Sequence, residues 1–386
     1  MSANGEKKSA SGNLNHSITR RDFFKGSAAA ALGAAALGSS LRAAETAAEL
    51  TVNGLPAVVF GRSGLKVTRI SFGGILMTEP AVLSHVLDRG INLVHTAPGY
   101  MNGRSIEAFG KVLKTRRQET VLATKVMPGK DLDSALKTLN TDYTDFIIPP
   151  MDSIEEISRP GLREEFEKAR QAGKCGHMGF ACHTQSPELI DKMVELGFYG
   201  LILMSYADTG NPAFIDSLDR ARKAGIGILA MKGLPKRAAG NPTAEERALY
   251  ATLCGSMVNR LHAHTILASM GSFQAVDMYR EILETRLSFH APNLEESYRA
   301  GLDGSYCAMC DNCRGICPNG VAVKDIVRFR MYDRDYRMTA YARTEYAGLA
   351  ENCRAGACDN CGLCENVCSR HLPLRGMLSE AHARLA

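Results

Sequence analysis

The sequence predicts an α/β protein in which a (β/α)8 barrel is followed by a small helical, cysteine-rich domain. Between about residues 68 and 285, short apolar β-branched runs alternate with amphipathic stretches, as parallel β/α units do. This length of about 220 residues suits an eight-stranded barrel. Near the C-terminus, eight cysteines fall into two copies of one spacing. We therefore divide the chain into a leader (1–48), a barrel (49–290) and a cysteine-rich domain (291–386).

The barrel prediction rests on eight apolar segments and the helical patterns between them. The predicted strands are residues 67–72, 91–96, 120–126, 145–148, 177–180, 200–204, 226–231 and 265–268. Predicted helices include residues 104–114, 163–172, 187–196, 213–223 and 273–283. An open doubly wound sheet is the alternative, although no G-x-G-x-x-G follows the first strand. Residues 51–64 are expected to form a hairpin across the bottom of the barrel.

The leader has the pattern of a twin-arginine export signal. Arg20 and Arg21 precede a weakly apolar run at residues 26–41, which is shorter than the roughly 20 apolar residues of a membrane span. Cleavage is expected between about residues 40 and 48. We expect the twin-arginine translocase to export the folded protein to the periplasm or another extracytoplasmic location. A disordered alanine-rich tail is the alternative.

The eight C-terminal cysteines have the x2, x2, x3 spacing of the bacterial ferredoxin run. The two runs are Cys307, Cys310, Cys313, Cys317 and Cys358, Cys361, Cys364, Cys368. This spacing predicts two 4Fe–4S clusters, with the fourth cysteine of a run ligating the other cluster. Disulfides and zinc are the alternatives, but neither explains a triple CxxCxxC with a fourth cysteine, twice. Ser369 stands where a proline is usual, and Cys353 is a spare thiol.

Composition excludes some classes of partner. A net charge of +5 without a basic patch interleaved with aromatics gives no sign of nucleic-acid binding. Apart from the leader, no segment is long and apolar enough to predict a membrane span. Cys175, Cys182 and Cys254 are expected to be buried structural thiols. Residues 328–337 predict a charged helix, interpreted as solvated, with a docking surface for a redox partner protein as the alternative.

Several stretches in order along the chain resemble aldo/keto reductases, in particular those extended by a C-terminal dicluster ferredoxin segment. They are residues 59–67, 90–97, 123–126, 141–146, 173–180, 230–233 and 371–374. The resemblance covers roughly residues 50–386. It implies hydride transfer between a nicotinamide and a carbonyl, with a tyrosine as proton donor, a lysine that lowers the tyrosine pKa, an aspartate that holds the lysine, and a histidine that orients the carbonyl.

Carried over by position, the resemblance gives half of that catalytic set. Tyr100 matches the acid and Lys125 its cationic partner. His95 stands in place of the aspartate, where it is either a new acid or base or a structural histidine with satisfied hydrogen bonds. The histidine position falls on Pro149 or Pro150, which has no side-chain donor.

The nucleotide positions implied by the resemblance are also altered. His183, Lys232, Gly271 and Ser272 are the candidate cofactor-binding residues, from their places after the later strands. Polar residues that usually hold the nicotinamide amide are replaced by Ala181 and Leu203, and no arginine follows Ser272. Binding of NADP(H) therefore stays open.

Two functions follow from the sequence. The first is an exported iron–sulfur oxidoreductase that acts on a small carbonyl-type substrate and passes electrons through its clusters. The second is an electron-transfer or binding module whose barrel has lost turnover. Replacement of the usual residues at His95 and Pro150 favours the second, while the presence of both Tyr100 and Lys125 favours the first.

Overall fold

Eight parallel strands close into a barrel in the computed structural model of the protein, which describes residues 50–386 except 208, 236–241, 302–303 and 305. The predicted leader lies outside the described residues. Each strand pairs with its neighbour in the chain, and the last pairs with the first, so the barrel prediction is confirmed and the open sheet is wrong. The strands are β4 (Ile70–Gly73), β5 (Leu93–Thr96), β6 (Val121–Thr124), β7 (Thr144–Ile147), β8 (Cys175–Cys182), β9 (Leu201–Ser205), β10 (Gly227–Met231) and β11 (Thr265–Ser269).

Amphipathic helices surround the barrel and bury their apolar faces against it. They are α1 (Pro80–Asp88), α2 (Arg104–Arg116), α3 (Lys130–Thr138), α4 (Ile154–Ile157), α5 (Leu162–Gln171), α6 (Pro187–Leu196), α7 (Pro212–Lys223), α8 (Ala244–Asn259) and α9 (Phe273–Glu281), the last continued by a π turn, Ile282–Arg286. Proline at the first turn of α6 and the hydroxyl of Ser186 at its N-cap fix the start of that helix.

A three-stranded antiparallel sheet closes the bottom of the barrel. It consists of β1 (Thr51–Val52), β2 (Leu55–Val59) and β3 (Lys66–Thr68). A Cβ on Gly61 would overlap the backbone at the start of β10, so this position requires glycine. The predicted strand 67–72 is therefore wrong as one element. Its first residues belong to β3, and the Thr68 hydroxyl donates to the Ile70 carbonyl (2.7 Å) where the chain turns into β4.

The C-terminal segment forms a second apolar core of its own. Its helices are α10 (Pro292–Gly301), α11 (Val323–Arg334), α12 (Thr339–Ala347), α13 (Leu363–Asn366) and α14 (Leu374–Leu385). The core includes Ile326, Phe329 and Leu378, and Ile75 and Leu76 of the barrel pack against it. The interpretation of residues 328–337 as a solvated helix is wrong, because α11 buries most of its side chains.

The twelve cysteines lie in the described part of the chain and none forms a disulfide. Cys175, Cys182 and Cys254 are buried, as predicted. Within the described residues, no helix combines the length and apolar character that crossing a membrane requires.

Candidate functional site at the barrel mouth

The candidate residues at the C-terminal ends of the barrel strands line one cavity of about 70 Å³. His95 comes from β5, while Tyr100, Lys125, His183 and Lys232 follow β5, β6, β8 and β10. This is the face where barrel active sites lie. Tyr332 and Tyr336 of the C-terminal segment complete the wall. The cavity is therefore lined by residues of the barrel and of the C-terminal segment.

A larger cavity of about 360 Å³ adjoins the first and opens towards α11 and α12. It shares Tyr100, Lys125 and His183 with the inner cavity. Pro150 also lines it, so the position where the family resemblance expects a histidine lies at the site but carries no donor. The outer cavity provides an entrance to the inner one.

His95 is buried to 1% exposure, and neither of its ring nitrogens has a hydrogen-bond partner among the described residues. The interpretation of His95 as a histidine with satisfied hydrogen bonds is therefore wrong. Burial, and then the charge of Lys125, lower the pKa of His95 to about 3. The imidazole is neutral near pH 7, and its ring lies edge-on to that of Tyr100 with 5.6 Å between centroids.

Tyr100 keeps its proton at neutral pH. Burial, followed by the neighbouring phenols of Tyr332, Tyr341 and Tyr336, raises the pKa of Tyr100 well above its usual value. The expectation that Lys125 would lower this pKa is wrong, because burial dominates. A protonated phenol facing the cavity can still donate a hydrogen bond, or its proton, to a bound oxygen.

Lys125 and Lys232 place two enclosed amines in the inner cavity. Neither forms a hydrogen bond or ion pair with any described residue, and the Lys232 Nζ is fully enclosed. Burial, then Arg328, lowers the pKa of Lys125 to about 8. The same two causes lower the pKa of Lys232 to about 7. Both side chains are therefore poised to gain or lose charge near neutral pH.

Asp152 organises the rim and was missed by sequence reasoning. Its carboxylate accepts from the backbone N–H groups of His183 (2.6 Å) and Thr184 (3.2 Å) and from the Cys182 thiol (3.3 Å). Burial alone would raise the pKa of Asp152, but Arg328 and the His183 amide hold it below its usual value. Arg328 donates to the other carboxylate oxygen at 3.3 Å, which ties α11 to the barrel.

His183 sits beside this carboxylate without bonding to it. Its Nδ1 lies 3.9 Å from Asp152 Oδ2 and has no hydrogen-bond partner. Burial, then Lys232 and Lys125, lowers the pKa of His183 well below its usual value. The ring is therefore a neutral donor and acceptor at the cavity wall.

Lys324 joins the barrel rim to the first cysteine run. This buried lysine donates to the Thr184 hydroxyl at 2.8 Å and pairs with Asp311, with 2.6 Å between Nζ and Oδ1. Asp311 lies between Cys310 and Cys313. The cysteine loop is thus fixed directly against the residues that line the barrel mouth.

Four predicted ligand cysteines surround a common space of about 20 Å³. They come from both runs: Cys307, Cys310, Cys313 and Cys368. Lys324 lines the same space. The Ser369 hydroxyl lies 3.2 Å from the Cys310 sulfur, and the Leu372 amide donates to the Cys368 sulfur at 3.5 Å. This crossed set has the donor chemistry and the sequence order of a 4Fe–4S site.

The second set of predicted ligands is Cys317 with Cys358, Cys361 and Cys364. Cys364 is buried, and burial, then Glu365 and Cys358, raises its thiol pKa. Across the described residues, no three His, Cys, Asp or Glu side chains converge on a single-ion site. A four-iron cube is larger than a single ion, so its ligands lie farther apart.

Gly271 and Ser272 do not join the cavity residues. The Ser272 hydroxyl accepts from the Ala275 amide (3.2 Å) as the N-cap of α9. Neither residue lines the cavities at the barrel mouth.

The barrel mouth is a poor match for a nicotinamide dinucleotide. Ala181 and Leu203 are buried and apolar where polar contacts to the amide are expected. The cavities at the ends of the last strands measure about 60 and 70 Å³, and among the cavities at the mouth only the adjoining one of about 360 Å³ reaches the ~300 Å³ of typical cofactor clefts. Tyr306 and Tyr336 stand in the wall of the smallest one.

Comparison with known proteins places part of the chain in a family. Residues 77–206 match the aldo/keto reductase family. A putative voltage-gated potassium channel subunit beta of Schizosaccharomyces pombe is 31% identical over 158 residues, which is 32% of this chain and 44% of that protein. Aldo-keto reductase YhdN of Bacillus subtilis is 30% identical over 26% of this chain and 36% of its own length.

The matched relatives are covered only in part, between 34% and 55% of their lengths. Among solved structures, the holo form of aldo-keto reductase AKR11C1 from Bacillus halodurans has a TM-score of 0.51 and 22% identity, covering 64% of this chain and 96% of that one. Residues 77–206 are therefore similar to the aldo/keto reductase family, and the barrel has the fold of that solved structure.

Proposed function

We propose that the protein is an iron–sulfur oxidoreductase whose barrel acts on a small carbonyl-type substrate and exchanges electrons with two 4Fe–4S clusters. One observation carries this proposal: the cysteine space and the barrel cavity are neighbours. Lys324 lines the first and binds Thr184 at the barrel rim, and the neighbouring residue His183 lines the barrel cavity. Electron transfer between such neighbours needs no diffusing carrier.

The chain's own residues supply the proton chemistry. When bound, the clusters supply electrons one at a time. Two electrons passed in succession match the two that reduction of a carbonyl requires. A carbonyl that takes up two electrons and two protons becomes an alcohol. Tyr100 holds one proton against the substrate oxygen, and Lys125, with its pKa of about 8, holds a second at the same cavity. Burial behind α11 keeps bulk water from the reacting carbon.

A nicotinamide nucleotide has no role in the proposed reaction, because Ala181 and Leu203 offer no polar contact to a nicotinamide amide. Electrons would instead come from, or go to, a redox partner protein. The twin-arginine leader supports export in folded form by the translocase, because clusters are assembled before transport.

A binding module without turnover is the second candidate. His95 replaces the aspartate of the family's catalytic set, and Pro150 replaces its histidine. Some matched relatives are named as potassium channel beta subunits, so the domain is also found in proteins with a subunit role.

Tyr100→Phe separates the two candidates. Reduced clusters of the wild-type protein should be reoxidised by a carbonyl substrate, followed anaerobically by visible absorbance, and the variant should lose this reaction with unchanged iron content. Tyr250→Phe is the matched control, since Tyr250 is buried and its hydroxyl has no hydrogen-bond partner among the described residues. Full activity in Tyr100→Phe would refute the proposed role, and no reoxidation in wild type would favour the binding module.

A further inference from the structure

We propose that the inner cavity binds a small organic anion, a 2-oxo carboxylate, with its carboxylate between Lys125 and Lys232 and its carbonyl towards Tyr100. This inference rests on the proposed function and names its substrate class. Several cationic side chains surround the barrel mouth, and only some of them are paired with a carboxylate.

The cations at the barrel mouth fall into two groups. Arg328 is paired with Asp152 and Asp325, and Lys324 is paired with Asp311. Their charges are balanced within the chain.

Lys125 and Lys232 form the second group. They line the inner cavity and have no carboxylate or hydrogen-bond partner among the described residues. An enclosed, unpaired ammonium group is costly, and an anion that enters the cavity removes that cost by pairing with it.

The rest of the wall fits a small carboxylate with a short apolar end. A space of about 10–15 Å³ holds one water, so a cavity of about 70 Å³ admits roughly five or six non-hydrogen atoms. Leu203, Met231 and Leu267 provide an apolar side. The neutral rings of His95 and His183 offer donors that bear no charge of their own.

The orientation follows from the placement of these groups. Lys125 and Lys232 attract the carboxylate. Three tyrosines line the cavity, and Tyr100, the one that the barrel contributes beside Tyr332 and Tyr336, donates to the adjacent carbonyl oxygen. A carboxylate next to the carbonyl also withdraws electron density from it, which favours electron uptake. Neutral aldehydes and ketones would leave both lysines unpaired and should bind more weakly.

The test measures binding without turnover. Oxamate, an unreactive analogue of a 2-oxo carboxylate, is titrated by calorimetry into the cluster-containing protein in its oxidised state. Lys125→Met and Lys232→Met should each weaken oxamate binding about 10- to 100-fold, the usual effect of losing a charge-assisted hydrogen bond. Lys192→Met is the control, because Lys192 pairs with Glu195 on the outer surface of α6.

The outcomes are distinct. Lys232→Arg should retain most of the affinity, which separates loss of charge from loss of folding. Equal affinity in wild type and both methionine variants, or no oxamate binding, would overturn the inference. Tighter, lysine-dependent binding of inorganic phosphate would also overturn it in favour of an inorganic anion. Oxamate binding without turnover would support the anion site and contradict the proposed oxidoreductase function. Turnover of neutral carbonyls alone would support the oxidoreductase function and contradict the anion site.

Discussion

Replacing cysteines in pairs should reveal which thiols share a cluster. Cys307, Cys310, Cys313 and Cys368 surround one space, so Cys307 and Cys368 should ligate the same cluster although 61 positions separate them (368 − 307). Cys317 should then belong to the other cluster. The double variant Cys307→Ala/Cys368→Ala should lose one cluster, whereas Cys307→Ala/Cys317→Ala should lose both.

The magnitude follows from four irons per cluster. The wild-type protein should hold about eight irons, the first double variant about four, and the second close to none. Ligation within each run would give the reverse order for these pairs, because Cys307 and Cys368 would then lie in different clusters, and Cys307 and Cys317 in the same one.

Iron content per chain, measured after anaerobic reconstitution, reads out this difference directly, and visible absorbance gives an independent check. Cys353→Ala is the control, because Cys353 lies outside both runs and should leave eight irons in place. About four irons in Cys307→Ala/Cys317→Ala, with near none in Cys307→Ala/Cys368→Ala, would refute the crossed arrangement.

Two further predictions follow from the charged groups. Oxamate affinity should fall as pH rises from about 7 to above 8, because Lys232 and then Lys125, whose pKa values burial and Arg328 lower to about 7 and about 8, lose their charges; calorimetry from about pH 6 to 9 tests this, and a flat profile would contradict it. Asp152 and Arg328, which face Lys125, keep their charges over this range. Arg117→Met should destabilise the barrel by about 3–5 kcal/mol, because it strips the fully buried Asp145 of its 2.8 Å ion pair. Denaturant unfolding measures that loss, and an unchanged midpoint would show that the pair adds no stability.

The barrel was readable from sequence because its strands are short apolar runs with a fixed period. Strand residues such as Val94 and Ile266 are buried, as their apolar character predicts. The local sequence pattern and the tertiary structure therefore agree at these positions. The break at Thr68 escaped this reasoning because no glycine or proline stands between β3 and β4, and only pairing with β2 separates them.

The site was readable only where a motif marks it. The cysteine spacing indicates cluster ligands. The order of the family-like segments identified Tyr100 and Lys125 as candidate catalytic residues. Asp152 and Lys324 carry no local pattern, and their roles arise from contacts with residues 31 and 140 positions away. The raised pKa of Tyr100 likewise depends on burial under tyrosines of the C-terminal segment, which no local pattern contains.

The central claim is that the barrel exchanges electrons with the clusters and does not take them from a nicotinamide nucleotide. The direct measurement is anaerobic: NADPH and then dithionite are added to the cluster-containing protein while its visible absorbance is followed, and pyruvate is added last. The account predicts no bleaching by NADPH, bleaching by dithionite, and recovery of absorbance with pyruvate. Bleaching by NADPH alone would contradict it, because the barrel would then bind the nucleotide and pass its electrons to the clusters.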